Sequence, residues 1–183
     1  VTMTATIFQW QKNSSFEELL RVVAYLLRVL PQNEVYRSPT GSISDPIELT
    51  NAQQKLFYLA QAESFPTEKK SLLNKKPISA SSKIRQFSPF VGPKGLLRAT
   101  GRTEQLTVFN FDSKHTVLLD SRHPVVRLYL EQLHERHCHQ GVDYLRALVQ
   151  QQLAIVKLRS ALRSIVSKCV TCRKRRAKTL NPI

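Results

Sequence analysis

The chain has 183 residues, of which 42% are apolar and 22% charged, a composition typical of a folded protein with one large or two small domains. Its 28 Lys and Arg outnumber 13 Asp and Glu, and the resulting net charge of +15 favours a polyanionic partner. No apolar stretch reaches the roughly 18–20 residues of a membrane helix, which excludes a membrane-spanning protein of that type. Residues 1–11 lack the basic start and apolar core of a secretory signal, so we expect an intracellular protein of the nucleus or cytoplasm. Because residue 1 is not Met, we also expect a fragment of a longer chain.

The first half of the chain is predicted to be mostly helical. Ser15 and Glu18 have the spacing of a capping box that opens a helix over about residues 16–30. Thr50 and Gln53 have the same spacing and predict a second helix through about residue 63. The Pro- and Ser-rich segment 32–46 predicts a linker, and a short helix at 66–74 is followed by a polar loop over 75–86.

The second half begins with two short predicted strands and then becomes helical. The strands are expected within residues 95–102 (GLLRATGR) and 115–120 (HTVLLD), joined through a turn-rich stretch. Pro124 suits the first position of a helix that runs to about residue 136. Two more helices are predicted, at 141–152 and 158–168.

Two short motifs in this half combine into a candidate metal site. His134 and His139 are separated by four residues, 29 residues follow, and Cys169 and Cys172 then form a CxxC pair. Zinc in structural sites takes four nitrogen or sulfur ligands in tetrahedral geometry. Side chains five apart do not share a helical face, so the helix should end near His134 and His139 should reach back from the turn. The Cys pair is expected to bind from a single tight turn after the last helix.

Other interpretations of these residues stay open. A lone CxxC can be a redox pair, although such pairs usually sit at a helix start beside a parallel sheet. Three His within six residues can be a solvated polar turn, and His137 and Cys138 are competing ligands that we interpret as spectators. Three Cys, an odd number, favour a metal or thiol role over a disulfide framework.

The His-His-Cys-Cys spacing resembles the N-terminal zinc-binding domain of retroelement integrases. The four-residue gap between the His residues is similar to the variant in LTR retrotransposons of the Bel/Pao type. The resemblance extends upstream through SFEELLRVVAYLLRVL, QAESFP, SSKIRQFSP, GLLRATGR and HPVVRLYLEQLHERHCHQG, and covers about residues 16–178. The family usually has an aromatic pair after the second helix and then Gly-Arg, whereas this chain has Leu153-Ala154 and Leu158-Arg159. Either the copy is degenerate or its core is repacked around Leu153 and Ile155.

The resemblance implies a mainly α fold with a small β element. Its C-terminal part would be a zinc-stabilised three-helix His2Cys2 bundle, preceded by a hairpin-like segment and upstream helices. We predict four segments: residues 1–46 resemble the tail after an RNase H region, 47–122 form a helical connector with two strands, 123–178 form the zinc-binding domain, and 179–183 form a tail.

The expected cofactor is one structural Zn2+, because four protein ligands leave no open position for a reaction. The expected partner is DNA at the retroelement ends, since ten Lys and Arg and no carboxylate follow Asp143. Candidate phosphate contacts are Arg159, Arg163, Lys168, Arg173, Lys174, Arg175, Arg176 and Lys178. The same tail can also be a solvated or nuclear-localisation segment.

The integrase core requires two Asp and one Glu that hold two metal ions, and no carboxylate follows Cys172. We therefore expect no enzyme activity and a chain that stops before the catalytic core. The leading hypothesis is a DNA-binding and multimerising integrase module, with helix 16–30 available for self-association or for a missing RNase H domain. The alternatives are an interaction adaptor with a structural zinc and no DNA role, and a thiol oxidoreductase with a depressed Cys pKa and no metal.

Overall fold

The computed structural model describes residues 15–29, 46–100 and 111–177, and most of them are helical. The helices are α1 Phe16–Val29, α2 Pro46–Ser64, α3 Pro66–Leu73, α4 Phe111–Lys114, α5 Pro124–Arg136, α6 Val142–Gln150, α7 Leu158–Lys168 and α8 Val170–Arg176. The strands are β1 Pro89–Val91, β2 Leu97–Ala99, β3 Val117–Asp120 and β4 Leu153–Val156. The prediction of a mainly α fold with a small β element is confirmed. Among the described residues, no helix is long and apolar enough to cross a membrane.

Several predictions fall on residues outside this description. They are the linker up to residue 45, the end of the first predicted strand at 101–102, and the tail at 179–183. Within the described part, the helix expected from Thr50 begins a turn earlier. Thr50 is not its cap, because the Thr50 hydroxyl donates to the Pro46 carbonyl at 2.7 Å inside α2. Ser15 does cap α1, where its hydroxyl accepts a hydrogen bond from the Glu17 N–H at 3.2 Å.

The sheet contains two strands that the sequence did not predict. Its order is β1-β2-β3-β4, with antiparallel pairing between the first three strands and parallel pairing between β3 and β4. The prediction that the second C-terminal helix runs to residue 152 is wrong, because α6 ends at Gln150 and β4 follows. A short apolar run such as LAIV is compatible with the end of a helix as well as with a strand. It forms a strand here because it pairs with β3 in parallel.

The four-residue strand β4 contains Leu153 and Ile155, the two residues around which the sequence predicts a repacked core as one alternative. Leu153 and Ile155 are both buried, at 4% and 6% exposure, in the same hydrophobic cluster as the surrounding helices. Both side chains therefore belong to the core of this protein.

One hydrophobic cluster joins the upstream helices to the zinc-binding region. Its buried members include Leu19 from α1, Leu56 from α2, Leu130 from α5 and Leu162 from α7. Tyr129 of α5 adds edge-to-face contacts to this cluster, to the rings of both Phe16 and Phe57. The helices near the metal site thus share a core with α1 and α2. The predicted domain boundaries stay predictions.

Two side chains near the end of α2 tie that helix to the sheet and to α5. Gln61 is fully buried, and its amide donates to the carbonyls of Leu97 and Leu118 and accepts from the Leu97 N–H, all at 2.8 Å. His123 caps α5, because its Nδ1 accepts from the Val125 N–H at 3.2 Å, and its Nε2 lies 3.0 Å from Glu63 Oε2. These contacts fix where α5 begins, and α5 carries the first metal ligand.

Candidate metal centre

His134 lies in the last turn of α5 and is buried, at 1% exposure. The expectation that the helix ends near His134 is confirmed, because α5 ends two residues later, at Arg136. The chain then reverses in a Schellman motif, in which the Cys138 N–H donates to the Glu135 carbonyl at 3.0 Å and the His139 N–H to the His134 carbonyl at 2.9 Å. This reversal places His139 beside His134 and confirms that it reaches back from the turn.

The two cysteines are held differently from the prediction. Instead of a tight turn that follows the last helix, Cys169 is the N-cap residue of the additional helix α8, and Cys172 lies in its first turn. The sequence signal for α8 is weak, because VTCRKRR has no apolar periodicity. Cys172 is the buried residue of this helix, so a metal ligand is the side chain that α8 contributes to the interior.

The four side chains converge on one point. His134 Nε2 lies 3.2 Å from His139 Nδ1 and 3.2 Å from Cys172 Sγ, and Cys169 Sγ lies 3.3 Å from His139 Nδ1. All four ligand atoms lie within 4.8 Å of one another. Zinc–nitrogen and zinc–sulfur bonds of about 2.0–2.3 Å, in tetrahedral geometry, separate ligand atoms by roughly 3.3–3.8 Å. The donor set and its spacing fit one structural zinc, which closes the site with four protein ligands.

The ionisation of the ligands agrees with metal binding. Burial, and then the neighbouring His139, lowers the pKa of His134, which keeps its imidazole neutral and able to bind a metal. The backbone N–H of Cys172 donates to the Cys169 sulfur and lowers the pKa of that thiol, whereas burial raises the pKa of Cys172. A metal must therefore displace the proton from the Cys172 thiol. The positive charge of a zinc ion, at about 2.3 Å from the sulfur, favours the thiolate form.

The placement of the CxxC pair removes one of the arguments against a redox function. The pair does stand at a helix start, and the fold does contain a parallel strand pair, β3 with β4. The imidazoles decide the interpretation instead, because both present a ring nitrogen to a cysteine sulfur at ligand spacing. A depressed Cys169 pKa serves a zinc ligand as well as a redox thiol.

His137 and Cys138 stay outside the ligand cluster. His137 Nδ1 lies 3.5 Å from the Tyr144 hydroxyl, and the two rings pack together. Cys138 is exposed and occupies the left-handed position of the Schellman motif, with φ of 52°. This position usually belongs to glycine, because a side chain there costs roughly 1–2 kcal/mol.

Replacing Cys138 with glycine is therefore expected to stabilise the zinc-loaded protein by about 0.5–1 kcal/mol, after allowance for the larger entropy of the unfolded glycine variant. Zinc stoichiometry should stay at that of the wild type. Thermal unfolding together with elemental analysis checks both results. Cys138→Ala is the matched control, with unchanged zinc and little change in stability. Loss of zinc from either variant would make Cys138 a ligand and contradict the assignment.

The predicted phosphate-contacting residues surround this site, but they are not equivalent. Arg175 donates to the Cys138 carbonyl at 3.3 Å, and Arg176 donates to the carbonyls of Cys172 and Val166. These two arginines fasten α8 to the ligand turn and to the end of α7. This structural function was not apparent from the sequence, because it depends on carbonyl groups that only the folded chain exposes to them.

The other members of the set project outward. Arg163, Lys168, Arg173 and Lys174 are exposed, and no ion-pair partner for them occurs among the residues that the structure describes. Arg159 is also exposed but lies 3.7 Å from the Asp143 carboxylate. Lys178 lies outside the described residues.

Comparison with protein families identifies this region. Residues 122–178 match the family model of the integrase zinc binding domain, and the match contains all four ligands. Comparison of the chain with curated proteins finds no match, and comparison with solved structures finds none either. Residues 122–178 therefore resemble an integrase zinc-binding domain, a non-catalytic type of domain, and they contain all four residues of the metal cluster.

Proposed function

We propose that this chain is the N-terminal module of a Bel/Pao-type retroelement integrase and that it binds DNA at the ends of the element. The match of residues 122–178 to the integrase zinc-binding family supports the integrase assignment. The resemblance of the upstream segments supports the Bel/Pao type, and two of those segments meet in the fold through Gln61 and Leu97.

The observation that carries the proposed DNA role is the uncompensated charge beside the zinc. Arg163 on α7 and Arg173 and Lys174 on α8 are exposed and have no carboxylate within ion-pairing distance among the described residues. Each such side chain can neutralise one phosphate and release a counterion. Phosphate contacts carry no sequence information, so we expect binding that is salt-dependent and nearly indifferent to DNA sequence.

The metal contributes to this function by positioning the basic helix. Cys169 and Cys172 hold α8 beside the His134 ligand of α5. Because α8 begins two residues after Lys168, its residues Arg173 and Lys174 lie at the same end of the molecule as that lysine. Without zinc, the cations would remain but their arrangement would be lost. DNA affinity is therefore expected to depend on zinc as well as on salt.

A role in integrase assembly has its own structural support. Val22, Tyr25, Leu26 and Val29 leave an apolar stripe of α1 exposed within the part of the chain that the structure describes. Such a stripe is typical of a surface that contacts another chain or domain. A second copy of the module or the RNase H domain of the same polyprotein would fit this proposal.

The test is a titration of zinc-loaded chain with a DNA duplex at several salt concentrations. The triple variant Arg163→Gln, Arg173→Gln, Lys174→Gln should bind at least tenfold more weakly, with the slope of log affinity against log salt reduced by about 2–3. The control variant Lys70→Gln, Lys75→Gln, Lys76→Gln removes the same charge from an exposed region of α3 and its following turn. It should bind nearly as the wild type does. Zinc-dependent folding without DNA affinity would overturn this proposal and support the interaction adaptor.

A further inference from the structure

A second basic surface lies away from the zinc, where the 80–88 loop faces the turn between β4 and α7. The two segments enclose an open groove of about 690 Å³. Three cations line it, Lys83 and Arg85 from the loop and Lys157 from the turn. The hydrogen-bonding side chains of Ser82, Gln86 and Ser88 complete its polar lining.

The backbone holds these cations in place. Ile84, between Lys83 and Arg85, is fully buried and anchors the loop, so its two neighbours stay exposed on the surface. The Thr100 N–H donates to the Phe87 carbonyl at 3.1 Å, which ties the end of the loop to the residue after β2. Lys157 adopts a left-handed conformation with φ of 57°, a strained state for a residue with a side chain. The groove is therefore formed by fixed elements on both sides.

Within the described residues the charge of the groove is only partly balanced, because Lys83 also interacts electrostatically with Glu68 in the neighbouring cavity and helps to lower the pKa of that carboxyl. No Asp or Glu lines it, and none of the ion pairs found there includes Lys83, Arg85 or Lys157. The neighbouring cavity shares Ser82 and Lys83 and does contain carboxylates, Glu68 and Asp120. Glu68 accepts a hydrogen bond from the Ser82 hydroxyl at 2.7 Å in that cavity. Three cations with two neutral donors, Gln86 and Ser88, in one concave surface suit the oxygens of a phosphate group, while the Ser82 hydroxyl is engaged by Glu68.

The position of the groove relates it to the basic surface beside the zinc. Lys157 precedes the first residue of α7, whereas Cys169 follows its last residue. A helix of 11 residues is about 16 Å long, which corresponds to roughly five base pairs along a DNA duplex. Arg159 and Arg163 lie one turn apart on α7 between the two basic surfaces.

We propose that this groove binds the phosphodiester backbone of the same DNA duplex that the zinc-binding region contacts. This inference rests on the proposed function and adds a second contact surface to it. The surface combines the loop at 80–88 with the zinc-binding region, so the upstream segment takes part in DNA binding. Neither segment alone contains all three cations.

The experiment compares the full zinc-loaded chain with the groove variant Lys83→Gln, Arg85→Gln, Lys157→Gln in titrations with a DNA duplex of arbitrary sequence. We expect at least tenfold weaker binding and a salt slope reduced by about 2–3. The matched control is again Lys70→Gln, Lys75→Gln, Lys76→Gln, which removes equal charge outside the groove. Thermal unfolding and zinc content should be unchanged in both variants, because all six side chains are exposed.

The outcomes separate the two proposals. If the wild type binds DNA and the groove variant has the same slope of log affinity against log salt as the wild type, the groove proposal is wrong and the proposed function stands. If both triple variants lose affinity equally, net charge alone is responsible and the groove has no particular role. If the wild type does not bind DNA, the proposed function itself fails. Should the groove variant fold poorly, Lys83→Gln alone is expected to lower the slope by about one.

Discussion

Replacing Cys172 with alanine will abolish zinc binding and unfold α8, while most of the remaining helix persists. Cys172 is the buried residue of α8, and seven residues are too few for a helix to be stable alone in water. Loss of the metal also releases the turn that holds His139. Elemental analysis should show no zinc, and hydrogen exchange should show lost protection over residues 137–141 and 169–176.

The free energy of unfolding that the protein loses without zinc follows from the linkage between metal binding and folding. With a dissociation constant of about 1 nM and about 10 μM free zinc, the metal stabilises the folded state by roughly 5.5 kcal/mol. A chelator added to the wild type should produce the same local loss. Cys138→Ala, which removes a thiol two residues after the end of α5 and outside the ligand cluster, should retain zinc and serves as the control.

The structure also predicts that the unfolding is local. α5, α6 and α7 contribute Leu130, Leu145 and Leu162 to the core that they share with α1 and α2, so they do not depend on zinc alone. Retention of one zinc by the Cys172 variant would show that the assigned ligand set is wrong. Loss of all helical signal on chelation would show that the shared core does not stabilise these helices.

Replacing Gln61 with alanine is expected to destabilise the whole chain by about 3–6 kcal/mol, enough to unfold a domain of ordinary stability. The side chain makes three buried hydrogen bonds of 2.8 Å, with the N–H and carbonyl of Leu97 and the carbonyl of Leu118. Its removal leaves three backbone groups without partners in the interior, and each such group costs about 1–3 kcal/mol. Denaturant unfolding of the zinc-loaded protein measures the loss.

Two further variants make this prediction specific. Gln54→Ala removes a glutamine from the same helix whose amide oxygen accepts a hydrogen bond from the exposed Lys94 ammonium at 2.7 Å, and should cost less than about 1 kcal/mol. Gln61→Glu keeps the shape of the side chain but cannot donate to the two carbonyls when ionised, and should be nearly as destabilising as alanine. A Gln61→Ala cost no larger than that of Gln54→Ala would mean that water or a rearrangement replaces the bridge.

The helices were predictable where local signals agree. Pro124 at a first helical position, with an apolar stripe behind it, predicted α5, and the structure begins and ends that helix at Pro124 and Arg136. α7 likewise occupies the predicted 158–168 range. In contrast, α8 and β4 have no decisive local pattern. The buried ligand Cys172 anchors α8 beside His134, and the parallel strand β3 pairs with β4. In each case the residues that stabilise the element are distant in the sequence.

The sequence by itself indicated a zinc site of two His and two Cys, because zinc in structural sites takes these side chains, and only the tertiary structure separated His137 and Cys138 from the ligand cluster. The sequence also determined the concentration of positive charge after Asp143. Only the tertiary structure decided that Arg175 and Arg176 bind backbone carbonyls, that Gln61 bridges α2 to the sheet, and that Lys157 faces Lys83 and Arg85. Each of these contacts joins residues far apart along the chain, and such pairs leave no local periodicity because packing alone brings them together.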